Sequence, residues 1–253
     1  MKELKTQYIF EINVFKENFR IAKDYFKTND IVKIIEMSQN TECDILSLKF
    51  NVDKLQDIKT SIFVLKQLLP IISKPLMING SGNDVIDREL LPKIARNLDR
   101  KSIIAQANEN TYKEIVPVVV KANHKLVLKT PIDINSCKEL SILVNEYGLD
   151  HSNIIINPDI GGLGYGFEYG YSIIEKIKCS RDKFLNFPII SFASSESLNV
   201  KETKSDNLSK SWGQLDKRSR MFELASVSAV KASGADLIVL YHPESIKIMK
   251  GLV

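Results

Sequence analysis

The sequence predicts an α/β fold, a (β/α)8 TIM barrel, in a single domain over residues 1–253. Three observations predict it. Short apolar runs rich in β-branched residues alternate with amphipathic helical stretches eight times along the chain. The runs begin about every 30 residues, the spacing expected of a fold that typically takes ~250 residues for eight such units. No shift in composition marks a second domain, and with 44% apolar residues the chain can bury a full core. A doubly wound open sheet is the alternative that the same alternation allows.

Residues 8–14 (YIFEINV) alternate loosely and read as the first strand. Asp30 caps a helix with the apolar face Ile31, Ile34, Ile35 and Met37. Residues 43–50 form the second strand, and Asp53 caps a helix carrying Leu55, Ile58, Ile62 and Leu65. Residues 75–78 are the third strand, after which Asp87 opens a helix with Leu90, Leu91, Ile94 and Leu98. Residues 102–107 are the fourth, followed by a helix with Tyr112, Ile115, Val118 and Val119 that contains Pro117. Residues 125–130 are the fifth, and the helix after it runs to Tyr147 with Gly148 as the left-handed stop.

The sixth unit, residues 153–177, organises the rest. Ile154, Ile155 and Ile156 are a buried-strand run stopped by Pro158, and helical spacing resumes at Glu168. Between them stand Gly161, Gly162, Gly164 and Gly166, more glycines than a turn needs, which points to close approach by another backbone or a flat ligand. The loop lacks the P-loop lysine and fails the GxGxxG pattern, which argues against a nucleotide-phosphate role. Residues 188–192 are the seventh strand. The polar stretch 194–212 that follows has no apolar periodicity and reads as a long loop, mobile alone and ordered by a partner or ligand. A helix from Gln214 to about Ser233 with Met221, Leu224, Val227 and Val230, the strand 236–240 and a helix over 244–250 complete the chain.

Composition narrows the function. A net charge of +4 from 35 basic and 31 acidic residues is too mild to imply nucleic acid, and no basic cluster interleaves with aromatics. Cys43, Cys137 and Cys179 are scattered and too few for an iron–sulfur cluster on this chain, and no metal site is expected. No apolar run approaches the ~18 residues of a membrane helix, and the first residues lack a signal-peptide core, so a cytoplasmic location and no membrane partner are expected. HExxH and GxSxG are absent, and no catalytic residue stands out.

In a barrel the working face is at the C-terminal strand ends. Asparagine follows several of the apolar runs, and the residues there include Asn51, Asn79, Ser81, Asn83, Asn108, Thr130, Asp133, Asn157, Asp159, Ser194 and Ser195. Part of this is turn and cap chemistry; the remainder describes an amide-rich mouth with few charges, suited to a large polar ligand. His242 is the one histidine expected to face it, His124 and His151 being placed at helix ends.

Five stretches carry a family resemblance: INGSGN at 78–83, AQANEN at 105–110, LKTPIDIN at 128–135, NPDIGGLGYGFEYGYSIIEKI at 157–177 and HPESI at 242–246. With them the chain resembles the delta subunit of carbon monoxide dehydrogenase/acetyl-CoA synthase, the small subunit of the corrinoid iron–sulfur protein. The resemblance implies a barrel paired as a heterodimer with a larger subunit that bears the cluster. A cobamide (corrinoid, of the cobalamin type) lies between the two against the barrel mouth. A methyltransferase and acetyl-CoA synthase dock transiently in the one-carbon metabolism of the Wood–Ljungdahl pathway. Cofactor contacts are then expected from Asn83, Asn108, Thr130, Asp133 and Asn157, and from Asp159, Gly162, Gly164, Tyr165 and Ser194. The chain departs from the family's usual pattern at Asn157, at 159–162, at Lys129 and at 193–197, most of these at the mouth. Two other readings stay open: a pterin-dependent methyltransferase moving a methyl group from a methyl-tetrahydrofolate-type donor to a corrinoid, with Asn108, Asp133 and Asn157 on the pterin, and a barrel that acts only in assembly.

Overall fold

The structure of the chain, a computed structural model, describes residues 5–15, 20–164 and 166–252. Among these, eight strands form one sheet: β1 (Gln7–Asn13), β2 (Ile45–Lys49), β3 (Leu76–Asn79), β4 (Ile103–Ala107), β5 (Lys125–Lys129), β6 (Ile154–Asn157), β7 (Ile190–Ser191) and β8 (Leu237–Leu240). All pair in parallel, in the order β6-β5-β4-β3-β2-β1-β8-β7. The last seam is bridged at Ile156 and Ile189, where the Ile156 N–H donates to the Pro188 carbonyl at 2.9 Å. The sheet therefore curls into a nearly closed barrel, as expected, and the open-sheet alternative falls.

Strand periodicity sorts the apolar residues into two cores. Ile9, Ile45, Met77, Ile103, Val127, Ile155 and Val239 point inward and fill the lumen. Their neighbours Phe10, Leu46, Ile78, Ile104, Leu126, Ile156 and Ile238 point outward, against the helices. Each such side chain taken out of water contributes about 1.5–3 kcal/mol, which explains why runs apolar on both faces read so clearly as barrel strands.

The helices lie outside. α1 (Arg20–Phe26) and α2 (Ile31–Ser38) follow β1, and α3 (Ile58–Leu68) follows β2 after a 3-10 turn over Leu55–Asp57. α4 (Asp84–Ala95), α5 (Tyr112–Lys121), α6 (Ile134–Glu146) and α7 (Phe167–Cys179) follow β3 to β6. α8 (Ala193–Ser197), α9 (Lys201–Lys204) and α10 (Leu215–Ala232) follow β7, and α11 (Pro243–Gly251) follows β8. Asp30 caps α2 by accepting from Val32 N–H at 2.9 Å. Gly148 (φ +91°) ends α6: its N–H donates to the Asn145 carbonyl and that of Leu149 to the Val144 carbonyl, a Schellman stop.

Five elements differ from expectation. After β2 the cap position is Lys54 rather than Asp53, and α3 itself begins only at Ile58. α1 is additional. α4 begins at Asp84, because Asn83 is its cap and Asp87 turns inward. Met221 is exposed, and α10 buries Arg218, Ser219, Glu223 and Ser226 beside Val227 and Val230. The stretch read as a long loop folds into α8, α9 and a 3-10 turn at Lys210–Trp212. Its organiser is the buried Arg218, whose guanidinium donates to the carbonyls of Glu202, of Ser205 at 2.6 Å and of Gly213 at 2.8 Å. A polar segment thus folds around one buried cation rather than an apolar stripe.

Candidate functional site

The floor of the mouth is a polar layer inside the barrel. Glu11 of β1 occupies an inward position and is almost wholly buried. Three donors converge on its carboxylate: Ser47 Oγ at 2.9 Å and Asn79 Nδ2 at 2.9 Å on one oxygen, Tyr241 Oη at 2.6 Å on the other. Burial first, and then the Glu11 charge, push the Tyr241 phenol well above its ordinary range, so it stays a donor. Tyr241 is fixed from behind: its N–H donates to Glu223 Oε1 at 2.7 Å, and Glu223 Oε2 bonds His242 Nδ1 at 2.8 Å. Two residues above Glu11, Asn13 is buried and its Oδ1 has no hydrogen-bond partner among the described residues.

Above this floor opens a cavity of about 200 Å³ lined by Lys49, Asn79, Gln106, Lys129, Asn157, Asp159, Ser195 and Glu196 among others. Gln106 reaches it because the β4–β5 register shifts between Ala105 and Ala107, a bulge that turns an extra side chain to the lumen. Its Oε1 accepts from Asn157 Nδ2 at 2.7 Å. Asp159, in left-handed backbone (φ +56°), pairs with Lys129 at 3.4 Å. Burial, and next the Asp159 charge, raise the Glu196 carboxyl above its ordinary range, while Lys129, Lys49 and Lys204 oppose the shift. The mouth is therefore amide-rich as expected, but it also carries two lysines and two carboxylates, contrary to the expectation of few charges. A side groove of about 320 Å³ lies against it between the loops after β4 and β5, lined by Asn108, Thr130, Leu140 and Leu143 and sharing Lys129 and Asp159 with the mouth.

The surrounding loops are held by their own side chains. Asp87 folds under the β3–α4 loop and accepts from Ser81 N, Ser81 Oγ and Gly82 N at 2.8 to 2.9 Å. A Cβ on Gly80 would lie 2.7 Å from that carboxyl group. Asp84 takes Asn108 Nδ2 and Asn110 Nδ2 at 2.8 Å each, tying the loop after β4 to α4. In the β6–α7 loop a Cβ on Gly161 would lie 2.9 Å from the Gly166 backbone, and one on Gly170 only 2.4 Å from Ile160 Cα. Gly164 (φ +94°) is the exposed tip with nothing within 4 Å of its Cβ direction.

These facts place the residues expected from the sequence. Asn157 and Asp159 line the mouth, and Asn108, Thr130 and Asp159 line the side groove. Gly162 pairs with Gly166 in the loop beside them. Asn83 and Asp133 cap α4 and α6, accepting from Val85 N and Ser136 N, and line neither cavity. Ser194 is buried, donating to the Val239 carbonyl at 2.7 Å. Tyr165 lies outside the described residues. Glu11, Lys49, Gln106 and Glu196 were not foreseen as site residues, and Lys129 was expected at the mouth only as a departure from the family pattern. The alternation in YIFEINV carried the signal for Glu11, since it puts the glutamate on the face of Ile9.

Two histidine expectations are corrected. His242 faces α10, not the mouth, because Glu223 claims its ring from behind β8. His124 is buried rather than superficial: Ser102 N–H donates to its Nδ1 at 3.2 Å and its Nε2 bonds the Ala95 carbonyl at 3.0 Å. Cys43 and Cys137 are buried and Cys179 exposed. Burial pushes the Cys137 thiol up to about 11, its sulfur 2.8 Å from Thr130 Oγ1. Among the described residues no group of three or more His, Cys, Asp or Glu is placed to hold a metal, and no helix is long and apolar enough to cross a membrane.

By class, this is a TIM barrel, and solved dihydropteroate synthases share its fold. The Xanthomonas albilineans enzyme solved with 4-aminobenzoic acid superposes over 100% of this chain and 95% of its own, with a TM-score of 0.66 at 11% identity. The Vibrio fischeri enzyme covers 98% and 93%, with a TM-score of 0.68 at 12% identity. At that identity the likeness concerns the fold. The sequence is more specific: the model of the CO dehydrogenase/acetyl-CoA synthase delta subunit matches residues 11–251, and the chain belongs to that family. Acetyl-CoA decarbonylase/synthase complex subunit delta 1 of Methanosarcina thermophila is 29% identical over 203 residues, covering 76% of this chain and 46% of that protein. The subunit delta of Methanocaldococcus jannaschii is 27% identical over 197 residues, covering 76% and 48%. The chain thus spans about half the length of these curated relatives.

Proposed function

We propose that the chain is a corrinoid-binding subunit of a complex that makes or cleaves acetyl-CoA. Paired with a larger subunit carrying an iron–sulfur cluster, it shelters a cobamide during methyl transfer, in the cytoplasm, with a methyltransferase and acetyl-CoA synthase docking in turn. The family match over residues 11–251 carries this reading. The donor set fits the group. The edge of a corrin bears carboxamides, which need both donors and acceptors, and the mouth offers Lys49, Lys129 and Gln106 beside Asn157 and Asp159. Asn157, Lys129, Gln106 and the backbone of Gly162 and Gly164 would hold it. When bound, the cobamide supplies the cobalt that carries the methyl group; this chain's part is to bind, orient and exclude water. The test is purification of the tagged chain from its native host. A larger iron-containing polypeptide and a corrinoid chromophore in stoichiometric amounts are expected, and recovery of the chain without either would refute the reading.

A pterin-dependent methyltransferase is the second reading. The observation favouring it is the fold likeness to dihydropteroate synthases, one of them the Xanthomonas albilineans enzyme in complex with 7,8-dihydropteroate. Methyl transfer from methyltetrahydrofolate to free cob(I)alamin by the purified chain would establish this activity; no transfer above the uncatalysed rate leaves the binding reading alone.

A further inference from the structure

We propose that the barrel mouth reads a single cis-amide edge, a carbonyl oxygen beside an N–H, with Asn79 Oδ1 as the acceptor and Gln106 Nε2 as the donor. An amide side chain is ambiguous until something fixes which end is which, and here both are fixed from below. The Glu11 carboxylate takes the Asn79 amino group at 2.9 Å, which leaves Asn79 Oδ1 turned away from the floor. The other orientation starts from a backbone N–H, which can only donate. Asp159 N–H gives to Asn157 Oδ1 at 3.2 Å, so Asn157 presents its amino group, and Gln106 Oε1 accepts it at 2.7 Å. Among the described residues, Gln106 Nε2 is left as the unspent donor. Asn79 is registered opposite Ala105, next to the bulged Gln106, and both side chains line the same cavity. Asn79 is buried and Gln106 half-buried, so a ligand that fills this cavity and displaces its water without offering the matching edge leaves polar groups unpaired.

The chemical class is therefore a lactam ring or a primary carboxamide. A carboxylate lacks the N–H, and a tertiary amide has it blocked. The proposal stands on side-chain orientation and does not require a corrinoid, so it can fail or succeed apart from the reading above.

The test uses the full chain labelled with nitrogen-15 and follows the side-chain amide resonances of Asn79 and Gln106. The probes are 2-pyridone, a lactam; N-methyl-2-pyridone, with the edge blocked; and acetamide, an open carboxamide. Saturable shifts at both amides with 2-pyridone, and binding about tenfold weaker with the N-methyl compound, are expected. Acetamide distinguishes the source: shifts at the same two amides favour a carboxamide arm of a larger ligand, and their absence beside 2-pyridone binding favours a ring lactam. Gln106→Glu keeps an acceptor for Asn157 but removes the donor, so it should fold and lose most of the 2-pyridone affinity. Glu11→Gln frees Asn79 to reverse and should erase the preference over N-methyl-2-pyridone. Equal binding of the two pyridones by the native chain, no shift at either amide, or undiminished 2-pyridone binding by Gln106→Glu would overturn the proposal.

Discussion

Replacing Gly170 with alanine tests whether the β6–α7 loop is held in place by α7. In a free helix the change would be favourable, since alanine exceeds glycine in helix propensity by about 1 kcal/mol. Here the new Cβ would lie 2.4 Å from Ile160 Cα and 2.8 Å from Ile160 O, which are backbone atoms that cannot rotate away. Either the loop lifts or the helix shifts, and such overpacking costs about 1–3 kcal/mol, at the upper end when backbone is the obstacle. The net loss is then about 1–2 kcal/mol. At about 2–4 °C per kcal/mol for a domain of this size, the melting temperature should fall by roughly 2–8 °C. Circular dichroism melts of the full chain give the value, and hydrogen exchange over residues 158–164 should rise with it, because Asp159 and Ile160 ride on the contact. A melting temperature raised by the propensity gain, with unchanged exchange, would refute the claim that α7 clamps the mouth loop.

Three further outcomes follow. Gly164→Leu adds a side chain at an exposed tip with φ +94°; backbone strain of about 1–2 kcal/mol leaves a domain with about 5–15 kcal/mol folded, so association with the larger subunit, measured by co-purification, should fall far more than thermal stability. Gly148→Ala, at the end of α6, is the control and should lower stability while leaving association intact. Asp84→Ala removes the acceptor shared by Asn108 and Asn110 and should cost about 1 kcal/mol in denaturant titration, with faster exchange in the loop after β4. Burial lowers the His124 pKa below its ordinary 6.5, so the unfolded chain takes up the proton first as pH falls. Stability from this residue is full above 6.5 and is lost as pH drops from there through the depressed folded value; His124→Gln should flatten that part of the stability–pH curve, and an unchanged slope would show that His124 does not set it.

The barrel was legible because strands apolar on both faces leave little ambiguity, and the glycine loop because its composition is unusual. The site was legible only in part. Asn83 and Asp133 sit where asparagine and aspartate always compete between ligand and cap, and in both cases the helix N–H groups won. Gln106 was hidden by the bulge, since strict alternation does not say which residue of AQAN turns inward. His242 looked like a mouth residue because it follows β8, but its partner Glu223 is nineteen positions away on another element, and no local pattern announces such a pair. The polar stretch after β7 gave no helical signal because its organiser, Arg218, belongs to the next helix.

The bond between Tyr241 and Glu11 joins residues 230 positions apart, and it forms the floor of the mouth. On a ribosome Glu11 emerges well before Tyr241. Until β8 has docked against β1, the glutamate has lost one of its three donors and the lumen is open along that seam. The floor of the mouth is therefore completed only after every strand between the two residues has been made. An unfinished or truncated chain can have most of its strands in place and still present no floor on which a ligand or partner could settle, so that binding at the mouth reports a barrel whose two ends have met.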